Sequence, residues 1–348
     1  MLISAALDSR KNNFDYLRLV AAIAVIVSHT FSVVGMQEPA TPFFLTTYGG
    51  LGVDVFMMIS GFLVTKSWFK TENIFIFLKA RFLRIFPALF VMIFLTVFVM
   101  GPIVTSIQLN EYFKNVDTYK YFLSDSVFYI RYSLPGVFTD NPLKFTVNGS
   151  IWTLRFEFAL YFVLAFLGIT GLLKRKFVSL LVFSVLLTLT VIANTIQLNH
   201  LIYLPCYFMV GVVFYLYKDS IPLKSSYACI CLLVFIISSF IGGLNGPMFI
   251  IFGSYLMFYI ALTPSIQLPH LTKIGDFSYG LYIYAFPVQQ MVAWFYKGRL
   301  GYAQDLVFTL IFTGILAFLS WHLIERRALN LKNRPLFQHQ NRNEAATV

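Results

Sequence analysis

The sequence predicts an all-α, polytopic membrane protein of about ten transmembrane helices with a central cavity. Three observations carry this. Apolar residues make up 58% of the 348-residue chain and charged residues only 12%, against about a quarter charged in soluble domains. Mean hydropathy is +0.75, and apolar stretches close to the roughly 20 residues that cross a hydrocarbon core recur along nearly the whole length. Finally, the basic residues segregate. With the first terminus inside, nineteen of the 26 Lys and Arg fall on the inner side, as the positive-inside rule requires.

The expected spans are 17–35, 50–68, 83–101, 151–171, 178–196, 201–217, 227–243, 247–263, 275–295 and 304–323. Residues 1–330 then form one transmembrane domain, carrying an external loop at 102–150, and 331–348 form a short cytoplasmic tail. Both termini are expected in the cytoplasm, with Lys174-Arg175-Lys176 the sharpest inside marker. The net charge of +11 is therefore a topology signal rather than a nucleic-acid footprint. The three cysteines, Cys206, Cys229 and Cys231, all sit in apolar segments, which argues against a disulfide framework or a zinc site. No metal is expected. The first apolar run has no small-x-small cleavage site and reads as a helix rather than a signal peptide.

In the first helix, Arg18 lies near the inner end and His29 toward the outer side. Eleven residues apart, they share a face to within about 20° and are separated by about 16 Å along the axis. His29 reads either as a core histidine bonded between helices or as a proton carrier at membrane depth. Arg18 either snorkels and pairs with Asp15 or serves a site. The second helix is rich in glycine, at 49, 50, 52 and 61, and brings Asp54 in from the outside. That carboxylate either orients the His29 ring or caps its own helix. Lys79, Arg81 and Arg84 precede Pro87 at the inner mouth. Arg81 and Arg84 share a face and form either a positive-inside flank or a phosphate fork.

The long loop mixes charges of both signs with aromatic pieces, and reads equally as a cap over a site or as a tolerated surface loop. Asn148-Gly149-Ser150 matches a glycosylation sequon, a short pattern common by chance. The next helix begins Ile151-Trp152-Thr153-Leu154-Arg155-Phe156-Glu157 and continues to Tyr161. Arg155 and Glu157 point to different faces and need partners on other helices. Glu157 either anchors a helix interface or faces a cavity beside His29. Late in the chain, Tyr279 and Tyr282 read as interface-belt tyrosines, while Asp276, Glu325 and Arg326 lie where they could line an inner vestibule.

Taken in order, these motifs resemble the membrane-bound acyltransferase 3 family, bacterial O-acetyltransferases that modify cell-surface polysaccharides, exopolysaccharides and lipo-oligosaccharide signals. The resemblance runs through Phe14-Asp15-Tyr16-Leu17-Arg18 with His29, Gly52-Val53-Asp54-Val55-Phe56, Ile59-Ser60-Gly61-Phe62-Leu63 and Arg81-Phe82-Leu83-Arg84-Ile85-Phe86-Pro87. It continues through Asn148 to Leu154 with Glu157 and Tyr161, and Ser278-Tyr279-Gly280-Leu281-Tyr282 with Pro287. It implies that His29 is catalytic, Arg18 essential and the Arg81/Arg84 pair functional.

On that basis acetyl-CoA is the expected acyl donor, held by Arg18, Arg81 and Arg84. His29 acts as base or nucleophile, oriented by Asp54 or Glu157. Arg155, Trp152, Tyr161 and Tyr282 form the expected binding set for a saccharide or lipid-linked saccharide acceptor. The resemblance also implies a bacterial inner-membrane location. Two departures are visible: Ala285-Phe286-Pro287 stands where many members carry a histidine, and no fused extracytoplasmic domain is expected after Arg326. A homodimer is left open. The competing readings are an exporter of a lipid-linked sugar or polysaccharide precursor and a non-catalytic assembly subunit.

Overall fold

A computed structural model describes residues 1–8, 12–39, 41, 46–196, 200–241, 245–266 and 275–333. The elements are α1 (Ile3–Asp8), α2 (Phe14–Val33), α3 (Tyr48–Thr71), α4 (Ile74–Val104), α5 (Leu109–Lys114), α6 (Val116–Ser126), α7 (Trp152–Ile169), α8 (Lys176–Ile196), α9 (His200–Leu216), α10 (Ser225–Ser239), α11 (Gly246–Leu262), α12 (Ser278–Phe295) and α13 (Tyr302–Asn330). The fold is that of an all-α membrane protein. Among the described residues the only extended pairings are two isolated bridges. By length and composition α2, α3, α4, α7 and α13 can each cross a membrane, whereas the apolar parts of α8, α9, α10 and α11 are shorter. Large apolar side chains such as Phe166, Leu181, Leu233 and Ile315 point outward, as a lipid-facing surface demands.

Each of the ten predicted spans corresponds to one of these helices, with two boundary differences. Residues 74–82 were expected to be a link, yet α4 begins at Ile74, where the Asn73 side chain accepts the Phe75 and Ile76 N–H groups. Arg81 and Arg84 are therefore two to three turns inside a helix. At the other end of the chain, α13 continues to Asn330, and a 3-10 turn over Leu331–Asn333 packs against α4. Both extensions run through charged residues that hydropathy read as helix ends.

The core of the bundle is the α2–α3–α9 layer. Gly49 and Gly52 of α3 pack against Ser28 and the Ala21 carbonyl of α2, which fixes an antiparallel register. On the other side of α3, Gly61 meets the Phe208 backbone of α9, while Gly211 of α9 lies over the Met58 carbonyl. α12, buried along most of its length, packs between α2, α4 and α13. α2 and α12 thus begin, and α3 and α13 end, at the end of the bundle where α4 starts; this is called the proximal end below. Among the described residues three helices contain a π turn: Thr96–Met100 in α4, Phe249–Gly253 in α11 and Trp321–Glu325 in α13.

The 102–150 segment is folded onto the bundle. The Tyr112 hydroxyl donates to the Val97 carbonyl at 2.8 Å, and the Asn141 amide donates to the Gln290 carbonyl at 2.9 Å. Asn148 is wholly buried and its amide donates to the Ile283 carbonyl at 3.1 Å, so the sequon side chain is a structural anchor here. Asp125 is also wholly buried; its Oδ1 accepts the Arg131 N–H at 2.7 Å, while Oδ2 has no partner among the described residues.

Two predictions follow from this packing. A methyl group at Gly61 would lie 1.9 Å from the Phe208 carbonyl oxygen, so Gly61→Ala must part α3 from α9. The expected cost is roughly 3 kcal/mol, read as a lower melting temperature in detergent, while Gly246→Ala, in open space, should not move it. Burial lifts the Asp125 carboxyl from 3.8 to about 7 against the weaker opposing pull of the Arg131 N–H. The folded loop then holds a proton that the unfolded chain releases, so its stability is greatest below pH 4 and declines as pH rises toward 7. Amide exchange over residues 116–131, corrected for intrinsic rate, should accelerate across that window. Asp125→Asn should flatten the profile; an unchanged profile would exclude Asp125 as its source.

Candidate functional site

A cavity of about 280 Å³ opens inside the proximal half of the bundle, between α2, α3, α4, α7, α12 and the end of α13. Its polar wall comprises Arg18, Ser60, Arg81, Arg84, Thr153, Glu157, Tyr161, Ser278, Tyr279, Tyr282 and Lys332, and Val53, Phe56, Met57 and Leu154 supply much of the apolar wall. An apolar shell around a few convergent polar groups is the usual composition of a small-molecule site.

Its cations are of two kinds. Arg84 Nη2 lies 2.6 Å from Asp276 Oδ2 and Nη1 lies 3.8 Å from Glu325 Oε2. Arg18 Nη1 lies 3.8 Å from the same Asp276 oxygen and 4.0 Å from Asp15 Oδ1. Ser278 donates to Asp276 Oδ1 at 2.7 Å and Ser320 to Glu325 Oε1 at 2.8 Å. Removed from bulk water, these groups are set opposite one another, which offsets part of their desolvation cost. Arg81 differs. Its guanidinium lies about 6 Å from the ring centroids of Phe77 (6.0 Å) and Tyr161 (5.9 Å) and reaches Ser67 Oγ at 3.4 Å. Its Nε is buried without an acceptor.

Glu157 forms part of the wall beside Arg81, accepting from both Ser60 Oγ and Tyr161 Oη at 2.5 Å. The Tyr282 hydroxyl donates to the Ser150 carbonyl at 2.6 Å and sits 2.5 Å from Thr153 Oγ1. Its ring meets Phe56 edge-on at 5.7 Å.

The predicted residues divide accordingly. Arg18, Arg81, Arg84, Glu157, Tyr161 and Tyr282 line the cavity; His29, Asp54, Trp152 and Arg155 do not. His29 is partly exposed, one helical turn of α12 beyond Tyr282, with its ring edge-on to Phe286 at 5.1 Å. Gly149 approaches the other side of that phenyl ring so closely that a Cβ would overlap it.

Among the described residues neither carboxylate expected to orient the imidazole touches it. The register that sets Gly49 against Ser28 and Gly52 against Ala21 points that face of α3 at α2. Asp54, two residues after Gly52, is turned about 200° from it and bonds Tyr207 of α9. Glu157 is taken up by Ser60 and Tyr161. Arg155 is exposed and lies over the Phe156 ring at 4.7 Å, and Trp152 packs edge-on to the same ring.

Sequence reasoning passed over Lys332, quoted Ser60, Thr153 and Ser278 only as parts of motifs, and read Tyr279 as a belt residue. Ser278 and Tyr279 could have been drawn in by their spacing from Tyr282, which keeps them on the wall of one helix; Lys332 lay in what read as a tail.

Residues 11–325 match the family described as "Acyltransferase domain". The chain is 31% identical over 333 residues to an "O-acetyl transferase" of Shigella phage Sf6, covering 92% of this chain and 96% of that protein. It is 29% identical over 355 residues to "Nodulation protein 10" of Rhizobium leguminosarum bv. viciae, covering 93% and 95% respectively. No solved structure gives a significant match.

The ion-pair geometry predicts an asymmetry. Arg84→Met leaves Glu325 without a cation and Asp276 with Arg18 alone, and should lower stability by roughly 3–5 kcal/mol. Asp276→Asn keeps Glu325 opposite Arg84 and should cost less. Melting temperatures of the two purified variants measure the order, and a reversed order would show that Arg84 is not the hub.

Proposed function

Because the chain belongs to the acyltransferase 3 family and is an O-acyltransferase, we propose that it moves an acetyl group from acetyl-CoA to a hydroxyl of a cell-surface or lipid-linked saccharide. The observation that carries this reading is a basic cavity at one end of α2, with the imidazole of His29 further along the same helix. The positive-inside asymmetry supports a cytoplasmic proximal end, where a CoA thioester is available, and the family resemblance supports a bacterial inner membrane. The anionic end of the donor lies among the proximal cations. Its acyl end is directed along α2 past Phe56 and Tyr282.

Both rings line the cavity and His29 lies one turn of α12 beyond Tyr282, so in this reading the acetyl group passes them as Tyr282 leaves the Ser150 carbonyl. This side chain then couples donor entry to the wall that Ser150 and Gly149 form beside Phe286. At the far end a ring nitrogen of His29 takes the proton of the acceptor hydroxyl while its oxygen attacks the thioester carbonyl. The C–O bond forms, the C–S bond breaks, and the imidazolium returns the proton to the departing thiolate. Arg18 and Arg84 keep their carboxylate partners and shape the cavity floor. The acceptor reaches His29 from the distal side, where the folded 102–150 segment lies.

The test uses purified full-length protein in lipid nanodiscs with acetyl-CoA and a surface-saccharide fraction, following thiol release and acetylated product together. His29→Ala should lose about 10²–10⁴-fold in turnover while binding acetyl-CoA as the parent does. Near-normal transfer by that variant would remove His29 from the chemistry. Movement of unmodified saccharide without thiol release would replace the transferase reading with an exporter.

A further inference from the structure

The cations lining the cavity are not equivalent, and their pairing distinguishes their uses. Arg18 and Arg84 are already matched by Asp15, Asp276 and Glu325. Among the described residues, Arg81, Lys332 and Lys70 have no carboxylate within ion-pair distance. They come from three chain segments that converge at the proximal mouth: Lys70 at the end of α3, Arg81 in the second turn of α4, and Lys332 in the turn after α13. Lys332 lines the cavity directly. Its ammonium is pushed below the ordinary lysine range by burial and by the charges of Arg81 and Lys70.

Glu157 lies beside Arg81 but beyond ion-pair distance, and three like charges converging with no closer counter-ion repel one another unless an anion sits among them. Arg81 adds a buried Nε with no acceptor, a donor already turned away from water and unused.

We propose that Lys332, with Lys70 beside it, is the seat of the 3′-phosphate of the CoA donor, with Arg81 one step deeper for the pyrophosphate. This rests on the acetyl-CoA reading above and goes beyond it by assigning the donor's phosphates to different cations. The orientation is fixed by the molecule's own polarity. The thioester is at one end of CoA and the phosphorylated adenosine at the other, so directing the thioester along α2 toward His29 leaves the adenosine end at the mouth. A phosphate monoester carries close to two charges at neutral pH. It therefore suits the mobile, point-like ammonium groups of lysines, whereas the diester oxygens of the pyrophosphate suit a fixed guanidinium fork.

The experiment compares acetyl-CoA with 3′-dephospho-acetyl-CoA on the full-length protein in nanodiscs of uncharged lipid, by equilibrium binding and by KM. The parent should bind acetyl-CoA about tenfold more tightly than the dephospho compound, the size of one charge-assisted contact. Lys332→Ala should erase that preference, weakening acetyl-CoA while leaving the dephospho compound within about twofold. Lys332→Arg should restore most of the preference. Because Lys332→Ala relieves repulsion from Arg81 and Lys70, it should not lower the melting temperature.

Equal loss of both thioesters in Lys332→Ala would overturn the assignment, since it is the pattern of a structural lysine or of one that seats a lipid headgroup. A parent protein indifferent to the 3′-phosphate would overturn it too, leaving the acetyl-CoA reading intact. A parent that binds neither thioester would overturn that reading and this inference with it.

Discussion

Arg84 is the tie on which the proximal half of the bundle depends. It stands on α4 and takes one carboxylate from the residue pair before α12 and another from the π turn of α13; the first of these also holds Arg18 on α2. Four helices far apart in sequence are joined through one guanidinium. In a low-dielectric interior such an assembly is costly to break, so it fixes both the floor of the cavity and the spacing of the helices above it. It also decides which positive charges are left for a ligand. The arginines that complete the tie are neutralised within the protein, while Arg81 and the lysines at the rim are not.

Much of the fold was legible in the sequence, because hydropathy and the distribution of Lys and Arg report directly on the solvent a helix meets. The ten spans correspond to ten helices, and the all-α membrane fold follows from their recurrence. The two boundary errors share one origin. Hydropathy ends a helix where charges begin, but α4 and α13 continue through theirs, and beside these stretches Arg84 of α4 faces Glu325 of α13 across the bundle. Seeing this from sequence would require knowing that Arg84 and Glu325 are neighbours, a contact spanning most of the chain.

The site was legible in outline and misassembled in detail. Motif order brought Arg18, Arg81, Arg84, Glu157, Tyr161 and Tyr282 together, and the structure sets all six around one cavity. Pairing Asp54 with His29 failed on helix phase, since a glycine face and a carboxylate two residues apart cannot both point at α2. Glu157 was open between anchoring a helix interface and facing a cavity beside His29; hydrogen bonds from Ser60 of α3 and from Tyr161 tie it to the α3–α7 interface at the cavity wall, away from His29. That His29 stays out of the cavity lining and packs on Phe286, one turn of α12 beyond Tyr282, is a property of packing that no single-sequence pattern carries.

The π turn at Trp321–Glu325 gives this arrangement a particular fragility. One residue more than a regular turn contains is threaded there, and it brings Glu325 back over Ser320, five positions earlier, with its second oxygen toward Arg84. Everything beyond that point, including Leu329 and Lys332 on the cavity rim, inherits the offset. The length of the chain between α12 and the rim is therefore counted in single residues. Loss of one residue inside that turn would rotate the rim by about 100° and present lipid-facing side chains to the cavity. A conservative replacement at the same place would leave the angular phase untouched.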